Sequence, residues 1–331
     1  MSGRSPSAPA SPGDTVTERR RTLVGAFALS FALSFALVGC PSGAADDDDD
    51  APEVRPVPVY LLAGQSNMEG YGPLMDADLG GWPMTASLEA AVAAGDEEAG
   101  ILDAREDVWV TSDSDAAVHE PGLLEPGFGA GTSFLGPELG MGHALGDAWD
   151  EPVVFYKSAK GGSTLGGDWR PPSAGGSVGA SYTRMVEGFS DFLADEVGAT
   201  FPDALADRGE EIAGFVWLQG WNDQFEDGFV AEYEDNLVAL VEDVRDALGV
   251  ADLPVVVVEG PTLDEPLRQA RLSAIARLDA DRPGRQVHVA TEDLVEEEVE
   301  GNFHFHFNAA NYLEVGRRAA AAMADLREGA D

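Results

Sequence analysis

The sequence predicts an α/β protein, a three-layer α/β/α sandwich around a five-stranded, mainly parallel sheet. From Val57 onward, short apolar runs alternate with longer amphipathic segments. A repeated order of strand, helix, strand gives a parallel sheet with right-handed crossovers. The runs are continuously apolar rather than alternating, which is typical of strands that helices cover on both faces.

Five strands and five helices carry this prediction. The predicted strands are 57–64, 152–159, 212–220, 254–260 and 286–291. The predicted helices are 135–149, 182–201, 229–248, 265–281 and 308–326. Residues 73–133 are rich in Gly and Asp and have weak periodicity. We therefore expect a long, loop-rich insertion over the functional site in that stretch.

The composition limits the possible partners of this protein. The chain has 331 residues, of which 44% are hydrophobic, so a substantial core can form. It carries 60 acidic residues against 20 Lys and Arg, a formal net charge of -40. Such an acidic protein repels the phosphate backbone, so no nucleic-acid partner is expected.

The first forty residues predict export. Arg19, Arg20 and Arg21 precede the apolar run TLVGAFALSFALSFALVGC. That run is short and rich in Ala and Gly for a membrane span, and it follows basic residues as in a signal peptide. Its end, Leu37-Val38-Gly39-Cys40, resembles the lipobox of bacterial lipoproteins, in which the cysteine carries the lipid. We therefore predict a lipoprotein signal peptide over 1–40, lipidation at Cys40, and an extracytoplasmic protein that is anchored to a membrane of the cell envelope or secreted.

A linker and a single domain are predicted after the signal. Residues 41–56, PSGAADDDDDAPEVRP, are small, acidic and proline-bearing. Such a segment cannot bury enough apolar surface to offset its ordering entropy, so we expect a flexible acidic linker. The folded domain is expected over 57–327. Cys40 is the only cysteine, so this domain has no disulfide of its own.

Three predicted strands end in residues suited to acyl transfer. The first is followed by Gln65-Ser66-Asn67, the second is followed by the paired glycines 161–162, and the third runs into QGWND at 219–223. A histidine-containing stretch, FHFHFNAANYLEVGRR, precedes the last helix. A serine nucleophile needs a base, and histidine has a suitable pKa. Glycine N–H groups and an amide side chain can then bind the oxyanion.

These blocks resemble the SGNH hydrolase superfamily and, within it, the sialate O-acetylesterase and acetylxylan esterase-like family with a SASA domain. LAGQSNMEG resembles the nucleophile block of that family, and GFVWLQGWND resembles its third block. GGSTLGGDWRPPSAGG and HFNAANYLEVGRRAA are also similar to its bacterial members. The resemblance runs from about residue 57 to 326. It implies a flavodoxin-like SGNH fold and a serine esterase that removes acetyl groups from a carbohydrate such as sialic acid or xylan, without cofactor or metal.

The resemblance also implies the catalytic residues. Ser66 corresponds to the nucleophile, and its own N–H is an oxyanion donor. Gly161 supplies a second N–H, and Asn222 supplies a side-chain amide. His306 is the general base, because it directly precedes Phe307-Asn308 and the small residues that open the last helix. His304, two residues earlier, is the alternative base or a supporting residue.

Further residues near these blocks are predicted to bind the substrate. Aromatic rings pack on sugar rings, and an arginine can hold a sugar carboxylate with two hydrogen bonds. Loop packing is the alternative role for Trp221 and for Arg170, which precedes two prolines. The predicted substrate-binding residues are Gln65, Gln219, Trp221, Asp223 and Arg170.

One position departs from the family pattern. Family members often have an Asp three residues before the histidine, and here that position is Phe303. In serine hydrolases this carboxylate holds the imidazole in the correct tautomer. Asp293, Glu300 and Asp223 are candidates to replace it, and a backbone carbonyl or a Ser-His dyad are alternatives. Two other functions stay open: a lipase- or thioesterase-like hydrolase, and a glycan-binding surface lipoprotein without catalysis.

Overall fold

The computed structural model describes residues 55–76, 84–117, 119–149, 151–201, 208–262, 264–296 and 302–329. The predicted signal peptide, the lipidation site Cys40 and the linker up to residue 54 lie outside the described residues. Glu300, one of the candidate acids, also lies outside them. In the described part of the chain, no helix has both the length and the apolar character needed to cross a membrane.

A seven-stranded sheet forms the centre of the molecule, in the order β4-β3-β6-β1-β7-β8-β9. All neighbouring strands are parallel except β3 and β4, which are antiparallel. A separate antiparallel pair joins β2 and β5. The strands are β1 (Val57–Gly64), β2 (Gly72–Pro73), β3 (Arg105–Ser114), β4 (Gly122–Leu124), β5 (Phe134–Leu135), β6 (Val153–Ala159), β7 (Glu210–Leu218), β8 (Val255–Val258) and β9 (Gln286–Val289).

Helices cover both faces of this sheet. They are α1 (Ser66–Glu69), α2 (Leu88–Ala94), α3 (Pro137–Ala148), α4 (Ala180–Asp191), α5 (Val197–Thr200), α6 (Asp227–Leu248), α7 (Glu265–Asp281) and α8 (Ala309–Glu328). Side chains of β1 alternate between two apolar clusters. Tyr60 and Leu62 pack in the cluster with α3 and α8. Leu61 and Ala63 pack in the cluster with α4, α6 and α7. The predicted three-layer α/β sandwich is confirmed.

The sheet has seven strands where five were expected. The five predicted strands and the five predicted helices are all present. The expectation of a loop-rich insertion over 73–133 is wrong in part, because β3, β4 and α2 lie within it. In β3 only Val108 and Val110 are fully buried; Trp109 is half-buried and packs against the cluster with α4, α6 and α7, and the remaining side chains are partly or fully exposed. Such a strand, second from the sheet edge, alternates and lacks the continuous apolar run of a central strand.

The order of the strands brings the predicted site together. β1 lies between β6 and β7, and Gly64 at its end pairs with Ala159 and Leu218. Because all three strands are parallel, the residues that follow them emerge at the same edge of the sheet. The serine block, the paired glycines and the QGWND block are therefore neighbours.

Candidate active site

The turn after β1 places Ser66 at the start of a short helix. β1 ends on a glycine because a Cβ atom at Gly64 would lie 2.0 Å from the carbonyl oxygen of Leu218. Ser66 is the first residue of α1, with Gln65 at the N-cap, and it is 8% exposed. The first N–H groups of a helix have no acceptor within the helix. Those of Ser66 and Asn67 therefore lie available beside the serine hydroxyl.

A buried ion pair supports this turn from below. The Lys157 ammonium, on β6, donates to the carbonyl oxygen of Glu69 at 2.7 Å and to that of Phe128 at 2.9 Å. It also pairs with the Glu138 carboxylate at 2.8 Å. Lys157 and Glu138 are almost completely buried. All three donors of the ammonium are thus used, and the end of α1 is held against the sheet.

The paired glycines differ in the state of their N–H groups. The N–H of Gly161 donates to Glu69 Oε1 at 2.9 Å, so this predicted oxyanion donor already has an acceptor. Gly162 is exposed, has a φ of 67°, and would place a Cβ atom in open space. Within the described residues its N–H has no acceptor. In this structure the N–H of Gly162, rather than that of Gly161, is available to a ligand.

Two predicted substrate-binding residues of the third block are buried and tie loops together. Gln219 is 1% exposed and its amide donates to the Ser163 carbonyl at 3.1 Å. Asp223 is fully buried and accepts hydrogen bonds from the N–H groups of Leu165 and Gly166, at 3.1 and 3.0 Å. Burial raises the pKa of Asp223. Both side chains position the loop after the paired glycines and do not face the solvent.

Gln65 and Asn222 occupy different depths of the site. Gln65 is 1% exposed, and its side-chain oxygen accepts a hydrogen bond from the Gly220 N–H at 2.9 Å. It joins the first block to the third from beneath. Asn222 is half-buried, and its amide makes a long hydrogen bond of 3.3 Å to the Ser163 carbonyl. Of these two amides, only that of Asn222 reaches the surface where a substrate would lie.

Trp221 and Arg170 have different surroundings. Trp221 lies edge-on to Phe225, with 5.9 Å between the ring centroids. The centroid of the Phe303 ring lies 6.0 Å from that of Trp221. Phe225 is 68% exposed, so the indole belongs to an aromatic group that reaches the solvent. The Arg170 guanidinium, predicted to bind a sugar carboxylate, pairs with Glu232 at 2.5 Å and also donates to a loop carbonyl. In this structure Arg170 therefore stabilises the loop that carries it.

The loop that carries the histidines is fastened to the residue after Ser66. The amide of Asn67 donates to the carbonyl oxygen of Phe303 at 3.0 Å. Its side-chain oxygen accepts a hydrogen bond from the Tyr312 hydroxyl, on α8, at 3.0 Å. Three consecutive residues of the loop, 305–307, have φ values of 46°, 63° and 47°. That left-handed region is unfavourable for residues with a side chain, so contacts with the surroundings must hold this loop in place.

His306 is buried and accepts a backbone hydrogen bond. Its Nε2 accepts from the N–H of Glu296 at 2.8 Å, and the side chain is 5% exposed. In the part of the chain that the structure describes, no hydrogen bond joins its ring to the Ser66 hydroxyl. The pairing of Ser66 with His306 stays a prediction.

His304 sits in an aromatic cage. Its ring stacks on Tyr71 with 4.1 Å between centroids and an interplanar angle of 5°. Phe303 and Phe307 approach it at 4.7 and 5.1 Å. The Nδ1 atom is buried and has no hydrogen-bond partner. Burial lowers the pKa of His304 to about 3, so its imidazole is neutral at physiological pH.

Two of the three candidate acids are engaged away from His306. Asp293 is exposed and pairs with Arg318 at 2.6 and 2.7 Å, and this hydrogen bonding lowers the pKa of Asp293. Asp223 holds the loop at 165–166. The third candidate is Glu300, outside the described residues. Neither aspartate orients the imidazole in this structure.

The sequence did not assign roles to Glu69, Asn67, Lys157 or Tyr312. The sequence does carry a signal for Lys157, because a lysine inside a continuously apolar strand needs a buried partner. The other three act through contacts with residues far away in sequence, which no local pattern indicates. Among the described residues, no group of three or more His, Cys, Asp or Glu is arranged to hold a metal ion.

Comparisons with known proteins identify the family of the chain and support its fold. A family model described as carbohydrate esterase, sialic acid-specific acetylesterase, matches residues 56–325. No curated protein matches the sequence. A solved structure from Arabidopsis thaliana is similar, with 18% identity and a TM-score of 0.58, over 81% of this chain and 98% of that one. A carbohydrate acetylesterase from Xanthomonas citri is similar with 16% identity and a TM-score of 0.52, over 82% of this chain and 57% of that one. At such identities these two likenesses concern the fold.

Proposed function

The chain belongs to the carbohydrate esterase family described as sialic acid-specific acetylesterase, and from that premise we propose that it removes O-acetyl groups from a carbohydrate by a Ser-His mechanism. Ser66 is the nucleophile and His306 is the general base. The sugar is the leaving group, and acetate is the second product.

Each step of this mechanism uses a group at the edge of the sheet. The Ser66 hydroxyl gives its proton to the His306 imidazole while its oxygen attacks the acetyl carbonyl. The N–H groups of Ser66 and Gly162, with the Asn222 amide, donate to the oxyanion. The bond to the sugar oxygen then breaks, and the imidazolium returns the proton to that oxygen. Water, activated by the same imidazole, attacks the acetyl-enzyme and releases acetate.

The base must be freed before it acts. A neutral imidazole has one acceptor nitrogen, and in the resting structure Nε2 of His306 accepts the Glu296 N–H. Proton transfer from Ser66 therefore requires that this hydrogen bond open when the substrate binds.

The observation that carries the proposal is the pair of hydrogen bonds made by Asn67. They fasten the histidine loop and α8 to the residue next to Ser66. A nucleophile and a base that lie 240 residues apart in sequence are thereby kept on one side of the sheet edge. This proximity supports an esterase more than it supports a binding protein, which needs no base.

Substitution of the nucleophile tests the proposal. Ser66→Ala should lower kcat for p-nitrophenyl acetate and for an acetylated oligosaccharide by at least about 1000-fold. The control is Ser177→Ala, an exposed serine, which should retain full activity. Equal turnover by Ser66→Ala and the control would refute the mechanism. A preference for long acyl chains would instead support a lipase- or thioesterase-like hydrolase, and glycan binding without turnover would support a binding protein.

We also propose that a lipid on Cys40 anchors the enzyme outside the cytoplasm. The support is the lipobox-like sequence that ends in the only cysteine of the chain. The division into a signal peptide at 1–40, a linker at 41–56 and an esterase domain at 57–327 is part of the same proposal.

A further inference from the structure

We infer that the site accepts acetylated sugars without charge and disfavours sugars that carry a carboxylate, sialic acid included. This inference rests on the proposed function, because it concerns which carbohydrate reaches Ser66. Two independent features carry it: the pairing of the cations at this edge of the sheet, and an exposed aromatic surface beside the nucleophile.

The cations that follow the strands already have acidic partners. Lys160, after β6, pairs with Asp168 at 2.8 Å. Arg170, in the next loop, pairs with Glu232 at 2.5 Å. Arg184 pairs with Asp113 at 3.2 Å and also with Asp115. A sugar carboxylate is best held by a free guanidinium with two hydrogen bonds, and none of these three side chains offers one.

The remaining cations are buried, paired or at the other edge. Lys157 and Arg271 are fully buried, so a ligand cannot reach them. Arg268 pairs with Glu259 at 3.0 Å, and Arg318 pairs with Asp293. Cations without an acidic partner in the described residues precede strands at the opposite edge of the sheet. They are Arg208, before β7, and Arg285, before β9.

The residues that the structure does not describe add no cation to the domain. The segments 77–83, 202–207 and 297–301 and the single residues 118, 150 and 263 contain neither Lys nor Arg. With a net charge of -40 for the chain, an anionic sugar meets repulsion at this edge and finds no partner to replace its hydration.

The aromatic surface consists of Trp221, Phe225 and Phe303. It begins next to the nucleophile, because the carbonyl oxygen of Phe303 accepts a hydrogen bond from Asn67. It continues through Trp221 to Phe225, which is 68% exposed. Aromatic faces bury apolar area without needing a charged partner. This surface therefore fits the C–H face of a neutral sugar ring whose acetyl group points at Ser66.

A pair of substrates that differ in one charge tests the inference. The purified protein is given an O-acetylated sialic acid and the methyl ester of the same compound, and acetate release is measured. We expect kcat/KM to be at least about fivefold higher for the methyl ester, as one unfavourable charge interaction predicts. The ratio of the two kcat/KM values should approach 1 as NaCl rises from about 0.05 M to about 0.5 M, because salt screens the repulsion.

The outcomes separate this inference from the proposed function. Equal rates, or a preference for the free acid, would overturn the inference and leave the esterase intact. If the protein hydrolysed neither of these two compounds and also failed to hydrolyse p-nitrophenyl acetate, the proposed function would be overturned and the inference with it.

A charge placed on the aromatic surface tests where the sugar lies. Phe225→Arg supplies the missing cation and should shift the ratio of kcat/KM toward the free acid by at least about threefold. The matched control is Leu102→Arg, at a 41% exposed residue that precedes β3 at the opposite edge of the sheet, and it should leave the ratio unchanged. A shift in both variants, or in neither, would overturn the placement of the sugar on this surface.

Discussion

His304 and His306 lie two residues apart, but their surroundings give them different chemistry. The ring of His304 is enclosed by Tyr71, Phe303 and Phe307, and its pKa falls to about 3. An imidazole with such a low pKa is a weak base and takes a proton from serine inefficiently. His306 accepts a hydrogen bond from a backbone N–H instead. At the scale of single residues, the environment thus argues against His304 as the base and leaves His306, the histidine that the family pattern indicates, as the proposed base.

Replacing His304 should make the protein less sensitive to acid. The unfolded imidazole has a pKa of 6.5 and the folded one about 3, so the unfolded state binds more protons below pH 6.5. The stability is therefore complete above pH 6.5 and declines as the pH falls toward 3, by about 2 kcal/mol at pH 5. His304→Phe keeps a ring against Tyr71 and removes the titration. Urea unfolding at about pH 7 and pH 5 measures how much the free energy of unfolding falls between the two pH values. This fall should be about 2 kcal/mol larger in the wild type than in the variant. Equal losses would contradict the buried neutral imidazole.

Strand β6 has two roles at the scale of elements. Its apolar side chains fill the core, and its Lys157 holds the carbonyl oxygen of Glu69 at the end of α1. The next element of the site, the glycine pair after β6, is held by the Glu69 carboxylate. The nucleophile turn and the glycine turn are thus linked through one residue, and the ion pair of Lys157 with Glu138 stabilises both.

Two lysines three residues apart give a matched test of this support. Lys157→Met leaves Glu138 as a buried charge without a cationic partner, and it should lower the free energy of unfolding by about 3–5 kcal/mol. Lys160→Met removes a pair in which the side chains are 34% and 31% exposed, and it should cost about 1 kcal/mol or less. Urea denaturation measures both values. Similar stabilities for the two variants would show that the buried pair does not hold the turn.

The elements that could be predicted are those whose own sequence carries the pattern. β1 and β7 lie at the centre of the sheet, so their apolar runs are continuous and easily found. β3 shows only two buried valines and one half-buried tryptophan among charged and polar residues, and its strand state depends on pairing with β6. The residues of the site divide in the same way, into those that a local pattern indicates and those that depend on distant contacts. The meeting of three strand ends follows from parallel order, whereas the capture of the Gly161 N–H by Glu69 depends on a contact across 92 residues.

For the whole molecule, the direction of β1 sets which edge faces the substrate. The predicted linker, 41–56, joins the domain at the amino end of β1, and Ser66 follows its carboxyl end. Eight residues of strand separate the two ends by about 25 Å. A chain tethered through this linker is therefore attached at the edge opposite the proposed active site. A long acetylated glycan can then approach Ser66 from the side away from the attachment point.

Substitution of the only cysteine tests the anchor at this scale. Acyl chains bind a bilayer through the burial of many CH₂ groups, each contributing about 0.8 kcal/mol, so loss of the acylated residue should release the protein. Expressed in a bacterium that processes lipoproteins, the wild type should partition into the detergent phase and incorporate labelled fatty acid. Cys40→Ser should do neither if the apolar run is removed, and Ser42→Ala is the matched control that should behave as the wild type. Both variants should hydrolyse p-nitrophenyl acetate at the wild-type rate, because Ser66 lies at the far end of β1 from the linker. If Cys40→Ser stayed in the detergent phase without label, the apolar run before residue 40 would itself be the anchor, since a retained hydrophobic segment holds a protein in the membrane without any lipid.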